Sequence, residues 1–285
     1  MTMDHDTPYD GLADQHGDDA RWAFGTGFTD PLEGIDTTVP DDLDPAALAT
    51  YCLMLGDDAL IYSHRLQQWM TRMPELEEET AIANIALDLL GQARMLLARA
   101  GTINGRTEDQ LAYFRDEADF RNVRLVEEPD RDFAELVGRL LVFSTWRLAL
   151  FDRLVDCPDP VLAAIAGKGV KELSYHRDYA AQWVIRLGDG TDVSRQRMQA
   201  ALAAIWPLVD ELFRVHPVAL VTADRSEFDA VLDTVLATAT LDRPAAAPLA
   251  AVGGRTGRDG VHTEALGYVL AELQSVARAH PDATW

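Results

Sequence analysis

The sequence predicts an all-α protein: a bundle of four long helices with further helices packed outside it. Three observations carry that expectation. Strand signals are almost absent, because no alternating run of β-branched residues is bounded by turn residues. Four long segments, 45–70, 75–101, 131–156 and 159–187, instead hold apolar residues at three- and four-residue steps. The breaks around them carry helix punctuation, with Asp, Thr or Pro ahead of a segment and Gly behind it.

Residues 1–44 are rich in Asp, Gly and Thr and read as an acidic flexible arm, with Trp22, Phe24 and Phe28 as isolated aromatics. The helical domain is expected over 45–285. Asp44 is a good N-cap for the first helix, 45–70. Pro74 and the acids Glu75, Glu77, Glu78 and Glu79 open the second, since they suit the positive end of a helix dipole. Arg99 and Gly101 suit its other end. Ile82, Ile85, Ala86, Leu89, Ala93, Leu96 and Leu97 form one stripe of that helix, and Asp88 is the only charge on the next face. A helix apolar on nearly every side is expected at the centre of the bundle, with Asp88 buried.

Next come a short Thr-capped helix over Thr107–Asp119 and an ordered loop over 119–130. The strongly apolar third helix, 131–156, follows, then the fourth, 159–187, which stops at Gly188-Asp189-Gly190. Thr191 caps a helix that Pro207 bends. Another helical period covers 222–241, a Pro-, Ala- and Gly-rich loop follows to Gly260, and a last helix spans 261–279.

The chain has 285 residues and is 48% hydrophobic, enough to bury a sizeable core. Its net charge is −22. Twelve acids against Arg21 in the first 44 residues account for −11 of it. Such a chain repels nucleic acid and anionic membrane, because phosphate binding needs clustered Lys and Arg. Two cysteines, Cys52 and Cys157, make neither a disulfide framework nor a thiolate zinc site. With no apolar signal core and no uncharged run of membrane-spanning length, a cytoplasmic location is expected. Ser-His-Asp motifs, phosphate loops and GxGxxG are lacking, which removes support for hydrolase, NTPase and dinucleotide readings.

A four-helix bundle of this length invites a test for a di-iron centre. Ferritin-like di-iron proteins place a Glu on each of two helices and a Glu-x-x-His on each of the other two. Here the first helix offers Asp57, Asp58 and His64. The second offers Asp88, but Gly91 stands three residues on and binds no metal. The third has no carboxylate between Glu135 and Asp152, and the fourth has Glu172 and His176 four apart, not three. No metal site is therefore expected. The acids that remain need partners, because an unpaired buried charge costs several kcal/mol, on the order of 3–5. Lys168 or Lys171 is expected to stand where a metal would, paired with Asp58, Asp88 or Glu172. Arg139 and Arg147 are expected to be neutralised by acids from neighbouring helices or a partner chain.

Several stretches in one order, LGDDALIYSHRLQQW, PELEEETAIANIALDLLGQARMLL, LAYFRDEADFRNVRLVEEP, RLGDGTDVS and GVHTEALGYVLAELQ, resemble the PaaC-type subunits of bacterial phenylacetyl-CoA 1,2-epoxidases (ring-1,2-monooxygenases). The likeness runs from Leu48 to Trp285. It implies a ferritin-like fold, no cofactor in this chain, and a structural, non-catalytic role beside a di-iron catalytic subunit. It further implies a small accessory subunit and a reductase that brings electrons from NADPH through FAD and an iron–sulfur cluster. The substrate implied is phenylacetyl-CoA, with its CoA end touched at the subunit interface by Asp119, Phe120, Arg121 and Asn122 and by Val218, Ala219 and Leu220. An autonomous di-iron oxygenase and a helical adaptor remain as alternatives.

Overall fold

In the computed structural model the described residues are 34–73 and 75–283. Pro74 and the aromatics of the arm, Trp22, Phe24 and Phe28, lie outside them. Among the described residues the structure is all-α with no strand, and its four long helices form a ferritin-like bundle.

The first hairpin pairs α1 (Pro45–Gln67) with α2 (Leu76–Asn104), joined through Thr71 in the left-handed region. Asp44 caps α1 by accepting from Ala46 N at 3.0 Å. The second hairpin pairs α4 (Phe133–Leu154) with α5 (Pro160–Gly188), and α2 meets α5 across the bundle. Between the hairpins lies α3 (Glu108–Tyr113), a single turn and a half closed by a Thr107–Gln110 capping box. Beyond Tyr113 the expected helix gives way to extended chain and a 3-10 turn at Glu117–Asp119. Outside the bundle, α6 (Asp192–Ile205) packs on α4 and α5, and 3-10 turns follow around Pro207. Helix α7 (Arg225–Thr238) also lies on α4 and α5, while α8 (Glu264–Ala279) packs on α3 and α1.

Two further features differ from the reading of the sequence. Gly101 does not stop α2, which runs on to Asn104 and ends at Gly105 in the left-handed conformation. Gly101 serves close approach instead: a Cβ there would stand 2.2 Å from the Arg106 carbonyl oxygen. The helix enclosed on all sides is α4, in which nearly every residue from Ala134 to Phe151 is buried. Helix α2 keeps one long face open, with Leu76 74% and Leu87 59% exposed. Periodicity locates apolar faces; it does not say which neighbour covers them.

The compact unit begins at Gly34. Ahead of α1, Thr37 O accepts from Arg99 Nη1 at 2.6 Å, and Arg99 is itself ion-paired with Asp159, the buried N-cap of α5. The stretch 34–44, assigned to the arm on composition, thus touches the body of the bundle.

Candidate functional site

Two polar assemblies flank α1 and α4. The first lies inside the bundle. The Arg147 guanidinium, fully buried, donates to Gln92 Oε1 at 3.0 Å and to Leu55 O at 3.1 Å. Gln92 passes the contact on, donating to Glu172 Oε2 at 2.9 Å. Phe151 lies under the guanidinium, 4.5 Å from ring centre to Cζ. Arg147 Nη1 has no hydrogen-bond partner, and its nearest carboxylate oxygen, Asp58 Oδ2, is 3.9 Å away. Burial pulls Arg147 down to about 10, still well above neutrality.

This geometry corrects the expectation of a buried lysine. The interior cation is an arginine from α4. Lys168 meets Glu172 at 3.4 Å, but as a half-exposed pair one turn apart on α5. Lys171 is exposed and, among the described residues, makes no ion pair with Asp58, Asp88 or Glu172. Asp88 is half-exposed rather than buried and pairs with the buried His176 at 3.0 Å. Among the described residues no three His, Cys, Asp or Glu side chains converge as metal ligands. The donor set does not fit an iron pair, since a fixed guanidinium and a carboxamide stand between Asp58 and Glu172.

The second assembly is a cradle of three loops, 115–127, 209–221 and 249–263, held on four buried acids. Adjacent residues Asp57 and Asp58 on α1 hold separate partners. Asp57 takes both terminal nitrogens of Arg115 and accepts from Arg121 N at 2.9 Å. Asp58 accepts from Val123 N at 2.8 Å and from Arg258 Nη1 and Nη2 at 3.0 and 2.7 Å. Burial raises the Asp58 carboxyl above its ordinary value, while Arg258 and Arg147 pull it back. Glu211 takes Arg124 Nε at 2.6 Å and Gly257 N at 3.1 Å.

Glu127 completes the set. It accepts from Asn122 Nδ2 at 2.8 Å and Thr263 N at 2.6 Å, and its Oε1 lies 2.7 Å from His262 Nδ1. His262 Nε2 faces Phe120 O at 3.1 Å. The ring thus bridges the Glu127 carboxylate and the backbone of the first loop. Gly257 and Gly260 let the third loop lie against the first: a Cβ would come 2.1 Å from Asn122 O in one case and 2.3 Å from Ala118 O in the other.

The residues that the sequence marked on these loops take different positions. Phe120 and Asn122 are wholly buried, Phe120 under the Arg115 guanidinium and Asn122 against Glu127, so they shape the loop from beneath. Asp119 is exposed and Arg121 half-buried, and both line a surface groove of about 460 Å³ with Thr50, Asn104, Arg106 and Arg115. Arg106 also borders a larger groove of about 1050 Å³ between α3 and α8. Val218, Ala219 and Leu220 are half-exposed on the second loop, which turns through a bond from Ala219 N to His216 O. Tyr51 on α1 anchors it by donating to Val221 O at 2.9 Å. His216 sits 3.8 Å from Asp259. Burial holds its imidazole below the ordinary value; Asp259 opposes that shift, and Arg258 and Arg121 reinforce it. Reading the sequence missed Arg115, Glu127, Glu211 and Arg258.

Fold and site together define a class: a ferritin-like bundle whose interior is arginine-filled and whose elaborated surface is a set of loops clamped on buried acids. The chain belongs to the phenylacetic acid catabolic protein family, whose sequence model matches residues 34–285. Among characterised proteins it is similar to the C subunit of 1,2-phenylacetyl-CoA epoxidase from Escherichia coli (strain K12). The two are 41% identical over 250 residues, which covers 84% of this chain and 99% of that protein.

Proposed function

We propose that this chain is the non-catalytic structural subunit of a multicomponent phenylacetyl-CoA 1,2-epoxidase in the cytoplasm, pairing with and stabilising a di-iron catalytic subunit. The observation that carries the reading is the bundle interior. Where a di-iron relative needs six converging oxygen and nitrogen ligands, this chain offers Arg147 and Gln92 between its few acids. The similarity to one subunit of the Escherichia coli epoxidase, over nearly the whole of that protein, supports the same assignment. In this reading the iron sits in the partner subunit. A reductase supplies electrons from NADPH through FAD and an iron–sulfur cluster, and a small accessory subunit completes the complex.

The cradle is the part of this chain assigned to substrate. Arg121, presented beside Arg106 in the groove, offers guanidinium N–H groups to phosphate or pantetheine oxygens of the CoA end. Asp57, Asp58 and Glu127 fix the loop that carries it. Val218–Leu220 supply an apolar edge from the second loop.

Co-expression with and without the catalytic subunit of the same complex tests the assignment, with phenylacetyl-CoA turnover measured in the presence of the reductase. The chain alone is expected to be inert and to hold no tightly bound iron, and its omission is expected to abolish or destabilise the catalytic subunit's activity. Two irons retained per chain, or turnover by this chain alone, would overturn the proposal. Arg121→Ala in the assembled complex should raise KM for phenylacetyl-CoA about tenfold with kcat little changed, as loss of one charge-assisted contact. An unchanged KM would remove the groove from the substrate path.

A further inference from the structure

The open face of α2 has no covering within this chain. Leu76, Thr80, Ala83, Leu87, Leu90 and Gly91 fall on one side of the helix at three-, four- and seven-residue steps. Arg94 and Ala98 continue the line, so Arg94 is its one charge, and Arg94 is already turned to Glu108 of α3 at 3.3 Å. Helix α2 is long and apolar enough to cross a membrane by length and composition, yet only 44% of its most apolar eighteen-residue stretch is buried. Leu76 and Leu87 are the exposed large side chains of this line, and Tyr175 of the neighbouring α5 is 54% exposed. A soluble chain leaves so long an apolar line uncovered where another protein covers it.

Three further observations narrow the occupant. The line runs from residue 76 to 98, about 33 Å of helix, so its partner presents an element of similar length, which a helical bundle does. Its ends differ in charge. Glu75, Glu77 and Glu79 stand at one end, while Lys168 and Lys171 stand on α5 towards the other, beside the Gln92–Glu172 contact. A partner bundle laid antiparallel, with its own acids towards the lysines, complements that gradient. Finally, the net charge of −22 opposes both a second copy of this chain and an anionic membrane.

We infer that the α2 face, with the flank of α5 around Tyr175, is the surface on which the catalytic helical subunit docks. The inference rests on the functional reading above, and it adds the place of contact. Small side chains at Ala83, Gly91 and Ala98 let a partner helix approach closely, and Leu87 is the central knob. The half-exposed Asp88 carboxylate, paired with the buried His176, lies beside Leu87 and is covered when the partner arrives.

The test uses the full chain and the catalytic subunit of the same complex. First, binding of the unmodified chains is measured, and hydroxyl-radical footprinting compares Leu76, Leu87 and Tyr175 in the free chain and the complex; protection of all three is expected. Second, Leu87→Glu is expected to weaken binding at least about tenfold, as for a charge placed at an interface centre. Val193→Glu, at an equally exposed position on α6, is expected to leave binding unchanged. Because Leu87 is exposed, both variants should melt close to the unmodified chain, and footprinting needs no variant at all. Failure of the unmodified chains to associate sinks the functional reading and this inference with it. Tight association without protection, or without loss in Leu87→Glu, overturns only the docking face. A homodimer broken by Leu87→Glu, or binding of this face to neutral lipid vesicles, also overturns it.

Discussion

The two polar assemblies beside α1 are built on opposite terms. In the loop cradle each of four buried acids has a dedicated side-chain partner: Asp57 with Arg115, Asp58 with Arg258, Glu127 with His262 and Glu211 with Arg124. Backbone N–H groups of the loops occupy the remaining lone pairs. In the bundle interior a single cation, Arg147, is shared between a distant carboxylate, a carboxamide and a carbonyl, and one of its nitrogens has no partner. The cradle therefore specifies where three loops lie, whereas the interior polar group sits in a bundle already held by α4's apolar packing. Buried ion pairs add little stability over apolar replacements, but breaking one leaves an uncompensated charge. The cradle is thus expected to be the intolerant region and the interior the tolerant one.

Asp58→Ala tests the difference most severely. It strands Arg258 beneath the loops and frees Val123 N, so a loss of about 3–5 kcal/mol, or failure to fold, is expected from urea unfolding. A loss under about 1 kcal/mol would make the cradle no more than surface chemistry. Arg258→Met should cost about 3 kcal/mol by the same reasoning, while Arg147→Met, set among Phe143 and Phe151, should cost about 1 kcal/mol. Equal losses from the two would erase the contrast.

The pH dependence sharpens the contrast further. The His216 imidazole in the folded cradle lies below its ordinary value of 6.5, mainly through burial. A depressed histidine value means that the unfolded chain binds the proton more readily. Its contribution is therefore full above the ordinary value and is lost as pH falls through the folded one. His216→Asn should flatten the fall in melting temperature on acidification below about pH 6.5. An unchanged slope would assign the acid sensitivity elsewhere. The smallest effects belong to the lysines. Lys168→Met and Lys171→Met should each stay within about 0.5 kcal/mol, since half-exposed i,i+4 pairs and free surface charges contribute little. A larger loss would restore a lysine to the interior.

Much of this was legible in one dimension. The four long helices follow from apolar spacing and from caps such as Asp44, Asp159 and Thr191, because those signals act within a turn or two. The spacing of acids and histidines along each helix was also readable, since it is local. The acids Asp58 and Glu172 could be singled out in the same way. Their partners could not: Arg258 lies 200 residues from Asp58, and Arg124 lies 87 from Glu211. Nothing in the local pattern of loop 249–263 distinguishes an arginine that clamps a buried carboxylate from one that faces water.

The amino-acid order by itself determined the class of fold and the place of each long helix along the chain, because each depends on neighbours within a few residues. The tertiary structure alone decided that α4 and not α2 is enclosed, that an arginine and not a lysine enters the bundle, and that Asp57 and Asp58 hold loops. Those outcomes depend on which distant side chain the assembled fold brings to a buried charge, and on which apolar face finds a neighbour. Both are matters of how the helices assemble in space.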